Sequence, residues 1–479
     1  MILLKSFSIF ETSYKIDSKK KHIYKDRMIM KAKKYEIDMC SGPLFSKILV
    51  FSVPLILSGI MQLMFNAADM IVAGRFAGSV ALAAVGSTSS LINLIINLFV
   101  GMSVGTNVLV AHFYGANRKS ELSDTVHTSI ALSLLGGVIL GVIGFVLASP
   151  LLTLMGTPKD VLPHAVSYMK IYFAGVPGML LYNFGSAILR AVGDTKRPLY
   201  YLFFAGVINV VLNVFFIVSM GMGVEGVALA TIISQFISAA LLTRCLMKEQ
   251  GDYCLEIGKI RLHKDKVIRI LRVGIPAGFQ GMVFNISNVL IQSSVNSFGA
   301  IAVAGNTAAQ NLEGFIYSAM NAFHQTSISF TSQNVGAKKW DRVKKIMIIC
   351  VISVAVTGIG MGMIGLLFGE RLLGFYATDT AVIMYGLKRL RIFCCSHFLC
   401  GVMDVFVGCI RGMGYSFMPM VVSLIGACGL RIVWIFTIFQ WHRSLEVLYY
   451  SYPVTWTITI MAHLVCFFYG FNKLKKIEK

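Results

Sequence analysis

Long apolar runs broken by short polar segments fill this chain from residue 46 onward. Twelve runs stand out, at 46–73, 80–111, 121–149, 161–188, 198–220, 225–248, 266–297, 301–331, 341–368, 379–409, 415–439 and 447–471. Each is at least as long as the ~20 residues that carry an α-helix across a bilayer. None has the apolar–polar alternation of a membrane strand, and a backbone in hydrocarbon must satisfy its own hydrogen bonds, so the runs predict α-helices. Runs that overshoot the span predict tilted or kinked helices.

The breaks are rich in Gly, Pro and charge. The longest interior one, 249–265, reads as a cytoplasmic linker between an N-terminal six-helix lobe (41–248) and a C-terminal one (266–472), with a short tail at 473–479. Residues 1–40 stand apart. Their stretch "KIDSKKKHIYKDRMIMKAKKYEIDM" is too charged for a secretory signal and lacks a small-residue cleavage site. It is expected to be a disordered or surface-lying extension, or to reflect a misassigned start, with Met28 or Met30 as the rival starts.

Composition agrees with a lipid-embedded chain: 56% of residues are hydrophobic, 14% are charged and the mean hydropathy is +0.74. A soluble fold could not bury that much apolar surface. The formal charge of +21 adds an orientation. Most of the 43 Lys and Arg fall in the tails and in the breaks after even-numbered runs. The positive-inside rule then places both termini in the cytoplasm, in a multi-pass protein of the cell (plasma or inner) membrane. Charge dispersed over so many loops forms no single patch for nucleic acid. The ten cysteines, among them Cys394, Cys395, Cys400 and Cys409, show no disulfide or metal spacing, and no nucleophile, metal or nucleotide motif appears. No enzyme activity and no cofactor are expected, and the chain is expected to act as a monomer.

The chain also repeats itself. A shift of 221 residues brings Gly78 onto Gly299, Gly115-Ala116 onto Gly336-Ala337, Arg190 onto Arg411, Gly193 onto Gly414 and Pro198 onto Pro419. A shift of 222 brings Pro54 onto Pro276, Gly59 onto Gly281 and Asn66 onto Asn288. Six helices separate the copies, so the halves share one orientation and an axis along the membrane normal relates them. The predicted fold is an all-α polytopic membrane protein with twelve transmembrane helices in two pseudo-symmetric six-helix lobes. That architecture suits a transporter whose lobes rock about a central cavity.

The segments "SGPLFSKILVFSVPLILSGIMQLMFNAADMIVAGRFAG", "NLFVGMSVGTNVLVAHFYGANR" and "LLYNFGSAILRAVGDTKRPLY", with the second-half echoes "ISFTSQNVGAKKW" and "GCIRGMGYSFMPM", resemble the multidrug and toxic compound extrusion (MATE) family, nearest its bacterial branches. The resemblance runs from about residue 36 to 471. It implies an antiporter that exports organic, often cationic and lipophilic, compounds in exchange for Na⁺ or H⁺. A flippase for a lipid-linked precursor, or an exporter of one metabolite, would share the fold. The flippase would need cavity arginines for a pyrophosphate, and the intramembrane Lys170, Lys388, Arg389, Arg391 and Arg431 are few and fall mostly near predicted outer helix ends.

Asp69 is the most informative residue. A carboxylate inside a membrane helix is costly and faces a partner or a cavity. A plainer reading places it at the helix's outer end. The resemblance implies that it binds the coupling proton or cation inside the N-terminal lobe, and Na⁺ there would be the one metal ion expected. Asn66, one turn earlier, could hydrogen-bond it. Asn183, and Asn209 with Asn213 one turn apart, are further candidates for the site, with helix packing as the alternative for each. In the second half Asp404, seven residues before Arg411, and Glu313 could each attract a cationic substrate or bind a proton. Gln280 is a further candidate for the substrate cavity, in the seventh helix, where some family members carry a glutamate and this chain has no acid. The motif arginines Arg190 and Arg411 are expected in cytoplasmic turns.

Overall fold

The apolar runs fold as helices throughout. The computed structural model describes residues 35–477, in which twelve helices follow one another. They are α1 Leu44–Ala77, α2 Gly78–Gly115, α3 Lys119–Leu154, α4 Leu162–Ala191, α5 Lys196–Ser219 and α6 Val224–Lys248 in the N-terminal lobe. The C-terminal lobe holds α7 Lys264–Asn296, α8 Ala300–Gly336, α9 Trp340–Gly374, α10 Thr380–Gly412, α11 Phe417–Trp441 and α12 Leu445–Ile477. Helix α4 bends by 45° near Pro177, whose ring removes a helical hydrogen bond. Wide π turns close α1 (Ala73–Ala77) and α5 (Phe215–Ser219) and interrupt α11 (Leu424–Gly429).

With bent α4 taken as one span, eleven of the twelve are long and apolar enough to cross a membrane. The exception, α8, is polar because it is central. It packs on α1, α2, α9 and α10, and most of its length is buried. Its polar side chains bond inward: Ser329 donates to Asn107 Oδ1 (3.0 Å), and Gln333 Nε2 to the Ala191 carbonyl (2.6 Å).

Packing repeats as the sequence does. Within the first lobe α4 packs on α2, α3 and α6, α5 packs on α6, and α1 packs on α5. In the second lobe α10 packs on α8, α9 and α12, α11 on α12, and α7 on α11. Between lobes, α2 crosses α7 and α1 crosses α8, which are images of each other under the same symmetry. Small residues permit these crossings. A Cβ on Gly278 would lie 2.4 Å from the Leu98 carbonyl oxygen, and one on Gly59 2.1 Å from Ser318 Oγ.

The described part of the N-terminal extension runs along one end of both lobes. Glu36 accepts hydrogen bonds from Tyr114 and Tyr253, and Ile37 N–H donates to the Gly193 carbonyl (3.2 Å). A few residues later the chain reaches the other lobe. Arg342 donates to the carbonyls of Met39, Ser41 and Gly42, and Lys339 Nζ to that of Cys40 (2.8 Å). The expectations for residues 1–34, including the Met28 and Met30 starts, lie outside the described residues.

Candidate functional site

In the N-terminal lobe three helices bring four polar side chains together. Asn209 and Asn213 lie one turn apart on α5 and face the same way, both buried. Asn213 Nδ2 donates to Asp69 Oδ1 on α1 (2.5 Å). The Thr231 hydroxyl on α6 reaches Asp69 Oδ2 (3.5 Å) and accepts from Asn209 Nδ2 (3.4 Å). Asn213 Nδ2 also lies 3.4 Å from Asn209 Oδ1. An ionised carboxylate only accepts, so Asn213 must turn its NH₂ toward Asp69 and its Oδ1 away. That buried Oδ1 receives no donor. The cluster therefore presents a half-buried carboxylate beside neutral amide and hydroxyl oxygens, a set suited to one small hard cation or one proton.

Two of the expected members stand elsewhere. Asn66 is exposed, and Asn183 Nδ2 donates to its own helix at the Met179 carbonyl (2.9 Å). Thr231 was not among the expected residues: a threonine in an apolar run carries no signal of its own, and only the packing of α6 against α5 brings it to Asp69.

The carboxylates of the second lobe have protein partners. Glu313 on α8 is held by both edge nitrogens of Arg389 on α10, Nε to Oε1 (2.8 Å) and Nη2 to Oε2 (2.7 Å). Arg389 Nη1 donates to Asn306 Oδ1 (2.9 Å), which also accepts from Tyr449 (3.0 Å). Asp404 lies beside Tyr317 and Arg411, and its backbone carbonyl accepts from His324 Nδ1 (2.6 Å). Gln280 is buried and takes a hydrogen bond from Arg411 Nη2 (2.8 Å). Glu313, expected to attract a cation, is thus one member of a fully buried ion pair.

The arginines also depart from expectation. Arg389 and Arg431, placed by sequence near outer helix ends, are buried in the lobe interior. Arg190 and Arg411, expected in turns, sit in the last turns of α4 and α10, where a cation complements the helix dipole. Lys388 does lie outside, paired with Glu446 (2.9 Å). Periodicity could not reveal the difference, because a charged residue at a helix end and one facing the bundle look alike until the neighbouring helices are placed.

Comparison with known proteins agrees with this architecture. The MatE family model matches residues 54–215 and again 276–437, one copy per lobe. The chain is 28% identical over 438 residues to the probable multidrug resistance protein YoeA of Bacillus subtilis, covering 89% of this chain and 94% of that protein. It is 23% identical over 396 residues to the FAD transporter of Shewanella oneidensis, covering 81% and 86%. The fold matches a multidrug resistance MATE family transporter of the MOP superfamily solved in its outward-facing conformation, with a TM-score of 0.84 at 22% identity over 91% of this chain and 98% of that one. With two family-model copies spanning the paired lobes and a carboxylate site inside the first, the chain belongs to the MatE family of membrane transporters.

Proposed function

We propose that this protein is a secondary active antiporter that exports organic compounds by alternating access, with the Asp69 cluster taking up the coupling H⁺ or Na⁺. The observation that carries the reading is the Asp69–Asn213–Thr231 contact set, which joins α1, α5 and α6 through one carboxylate. Protonating Asp69, or binding Na⁺ to it, removes the charge that the lobe must otherwise solvate. Occupancy of the site therefore biases how the three helices pack, and the ion gradient acts on the conformational equilibrium through that bias. The multidrug resistance names of relatives support export of varied organic compounds. We place the protein in the cell membrane as a monomer with both termini cytoplasmic, and keep 249–265 as the cytoplasmic linker between the two lobes.

Lipophilic cations are the first substrates to test. Purified protein in vesicles, given a pH or a Na⁺ gradient separately, should accumulate an ethidium-type dye against its gradient. No movement of any dye in a broad cationic panel would overturn multidrug export.

A narrower reading, export of one metabolite, is favoured by one observation: Arg389 neutralises Glu313 and leaves the second lobe short of free negative charge. The FAD transporter among the relatives supports keeping it. Vesicles loaded with that flavin nucleotide distinguish this reading from dye export, and lipid scrambling assays distinguish the flippase from both.

A further inference from the structure

The two lobes are built alike, yet the second contains no copy of the Asp69 site. The 222-residue shift that holds along α1 and α7 brings Asp69 onto Ile291. At the start of α5 and α11 the shift is 221, from Pro198 to Pro419. The π turn Leu424–Gly429 then adds one residue to α11 before Leu430, whereas α5 has its own π turn only after Val214. Beyond the α11 turn the shift is 222, which brings Asn209 onto Arg431 and Asn213 onto Ile435. Burial agrees, since Asn209, Asn213, Arg431 and Ile435 are all buried. Helices α6 and α12 begin at Val224 and Leu445, a shift of 221 that brings Thr231 onto Tyr452. These counterparts do meet: Ile291, Ile435 and Tyr452 share one buried cluster, and the Arg431 guanidinium lies 3.9 Å above the Tyr452 ring. Where the first lobe has an acid among amides, the second has an arginine against an aromatic ring.

Arg431 is 2% exposed, and no protein atom accepts a hydrogen bond from its Nε or its Nη2. Among the described residues it forms no ion pair. Arg389 next to it is matched by Glu313, and Arg411 faces Asp404 and Gln280. A guanidinium stays charged in a protein, so burial leaves Arg431 in need of an anion. The free edge matters as much as the charge. Nε and Nη2 are the pair of nitrogens with which Arg389 grips both oxygens of Glu313, a geometry that suits a planar carboxylate or two oxygens of a phosphate.

We infer that the C-terminal lobe carries an oxyanion site, in which Nε and Nη2 of Arg431 hold the carboxylate or phosphate group of a transported solute while Tyr452 supports the guanidinium from below. The site is the polar inverse of the cation site in the first lobe, so one molecule would offer a carboxylate to a cation and an arginine to an anion at equivalent positions. That the bound anion belongs to a transported solute rests on the antiporter reading, whereas binding is measurable without transport.

The test uses the full chain purified in detergent. Benzoate and methyl phosphate are each titrated while the thermal unfolding midpoint is followed, with chloride as the spherical control. A bound oxyanion should raise the midpoint by roughly 2–4 °C at saturation. Benzoate alone would name a carboxylate source, methyl phosphate alone a phosphate source, and either supports the site. The shift should vanish in Arg431→Asn, which installs the residue of the first lobe. In Arg431→Lys, which keeps the charge without the paired N–H edge, affinity should fall about tenfold. Should the Asn variant not fold, tryptophan fluorescence titrations of wild type and Arg431→Lys decide, because Trp456 belongs to the same cluster. No shift with either oxyanion in the wild type, an equal shift with chloride, or unchanged affinity in Arg431→Lys would overturn the site. Dye export failing while oxyanion binding persists would count against multidrug export and leave the site standing.

Discussion

Gly115 and Gly336, equivalent positions in the two lobes, are each pressed against the other's helix. A Cβ on Gly115 would lie 2.0 Å from the Gln333 carbonyl oxygen, and one on Gly336 would lie 2.0 Å from the His112 carbonyl oxygen. Gln333 and His112 are themselves related by the 221-residue shift, so the contact is reciprocal. Both neighbours are backbone and cannot swing aside, so the ends of α2 and α8 approach this closely only because neither position has a side chain.

Gly115→Val should therefore hold this end of the molecule apart. Cys40 reports on it, since its thiol sits against the Gln333 carbonyl (3.6 Å). Maleimide labelling of Cys40, in a variant with the other cysteines replaced, should rise several-fold when Gly115→Val is added. Unchanged labelling would show that the contact is not closing this end.

Asp69→Asn should fold and reach the membrane, because the change is nearly isosteric and removes a charge that is costly inside a bilayer. Its remaining Oδ1 can still accept from Asn213. Uphill export should be lost in vesicles whichever gradient is imposed. Normal gradient-driven export by this variant would remove Asp69 from the coupling role, and the gradient that drives the wild type identifies the ion.

Thr231→Val keeps the shape and removes the hydroxyl that links Asp69 to Asn209. Losing one hydrogen bond to a charged group costs on the order of 1.5–3 kcal/mol. The apparent affinity for the coupling ion should fall at least tenfold while maximal export changes less. An unchanged ion dependence would make Thr231 a packing residue only.

Glu313→Gln should act on folding. It leaves Arg389 buried without its partner, which costs about 3–5 kcal/mol. A clear drop in the thermal midpoint is expected, largely restored by adding Arg389→Met. A variant of full stability with weakened binding of cationic dyes would instead return Glu313 to the substrate cavity.

A chain starting at Met28 keeps Glu36 through Gly42 and should export like the full protein, whereas one starting after Gly42 should lose stability. Within this segment, burial raises the pKa of Asp38, but hydrogen bonds from Ser41 and Cys40 N–H and the charge of Lys47 outweigh it and hold the carboxyl below its usual range. Its folded pKa being the lower one, its contribution is present above the ordinary carboxylate pKa and is lost as pH falls through the lowered value. Protease sensitivity near residue 38 should therefore increase only in acid, and equally in Asp38→Asn at all pH values. Sensitivity that did not change with pH would show that Asp38 does not secure the segment.

Hydropathy determined the twelve helices, because lipid leaves a buried backbone no other way to satisfy itself. The repeat determined two lobes of six helices, and Asp69 was legible because a lone carboxylate is conspicuous in an apolar run. Even so, α8 reached the helix count through its length and position, its polarity being explained only by the four helices around it. The partners of Asp69 needed the tertiary structure: Asn213 and Thr231 lie 144 and 162 residues away, and nothing local separates them from Asn66 and Asn183, which do not bond to it. The C-terminal lobe was read least well. Glu313 and Arg389 lie 76 residues apart on neighbouring helices, and Arg431 takes the place of Asn209 only after a π turn shifts its helix by one residue. A sequence gives the charge of a side chain and its position along a helix. Whether that charge meets a partner, lipid or a binding cavity depends on the rotation of each helix against the next, which the packing of the whole bundle decides.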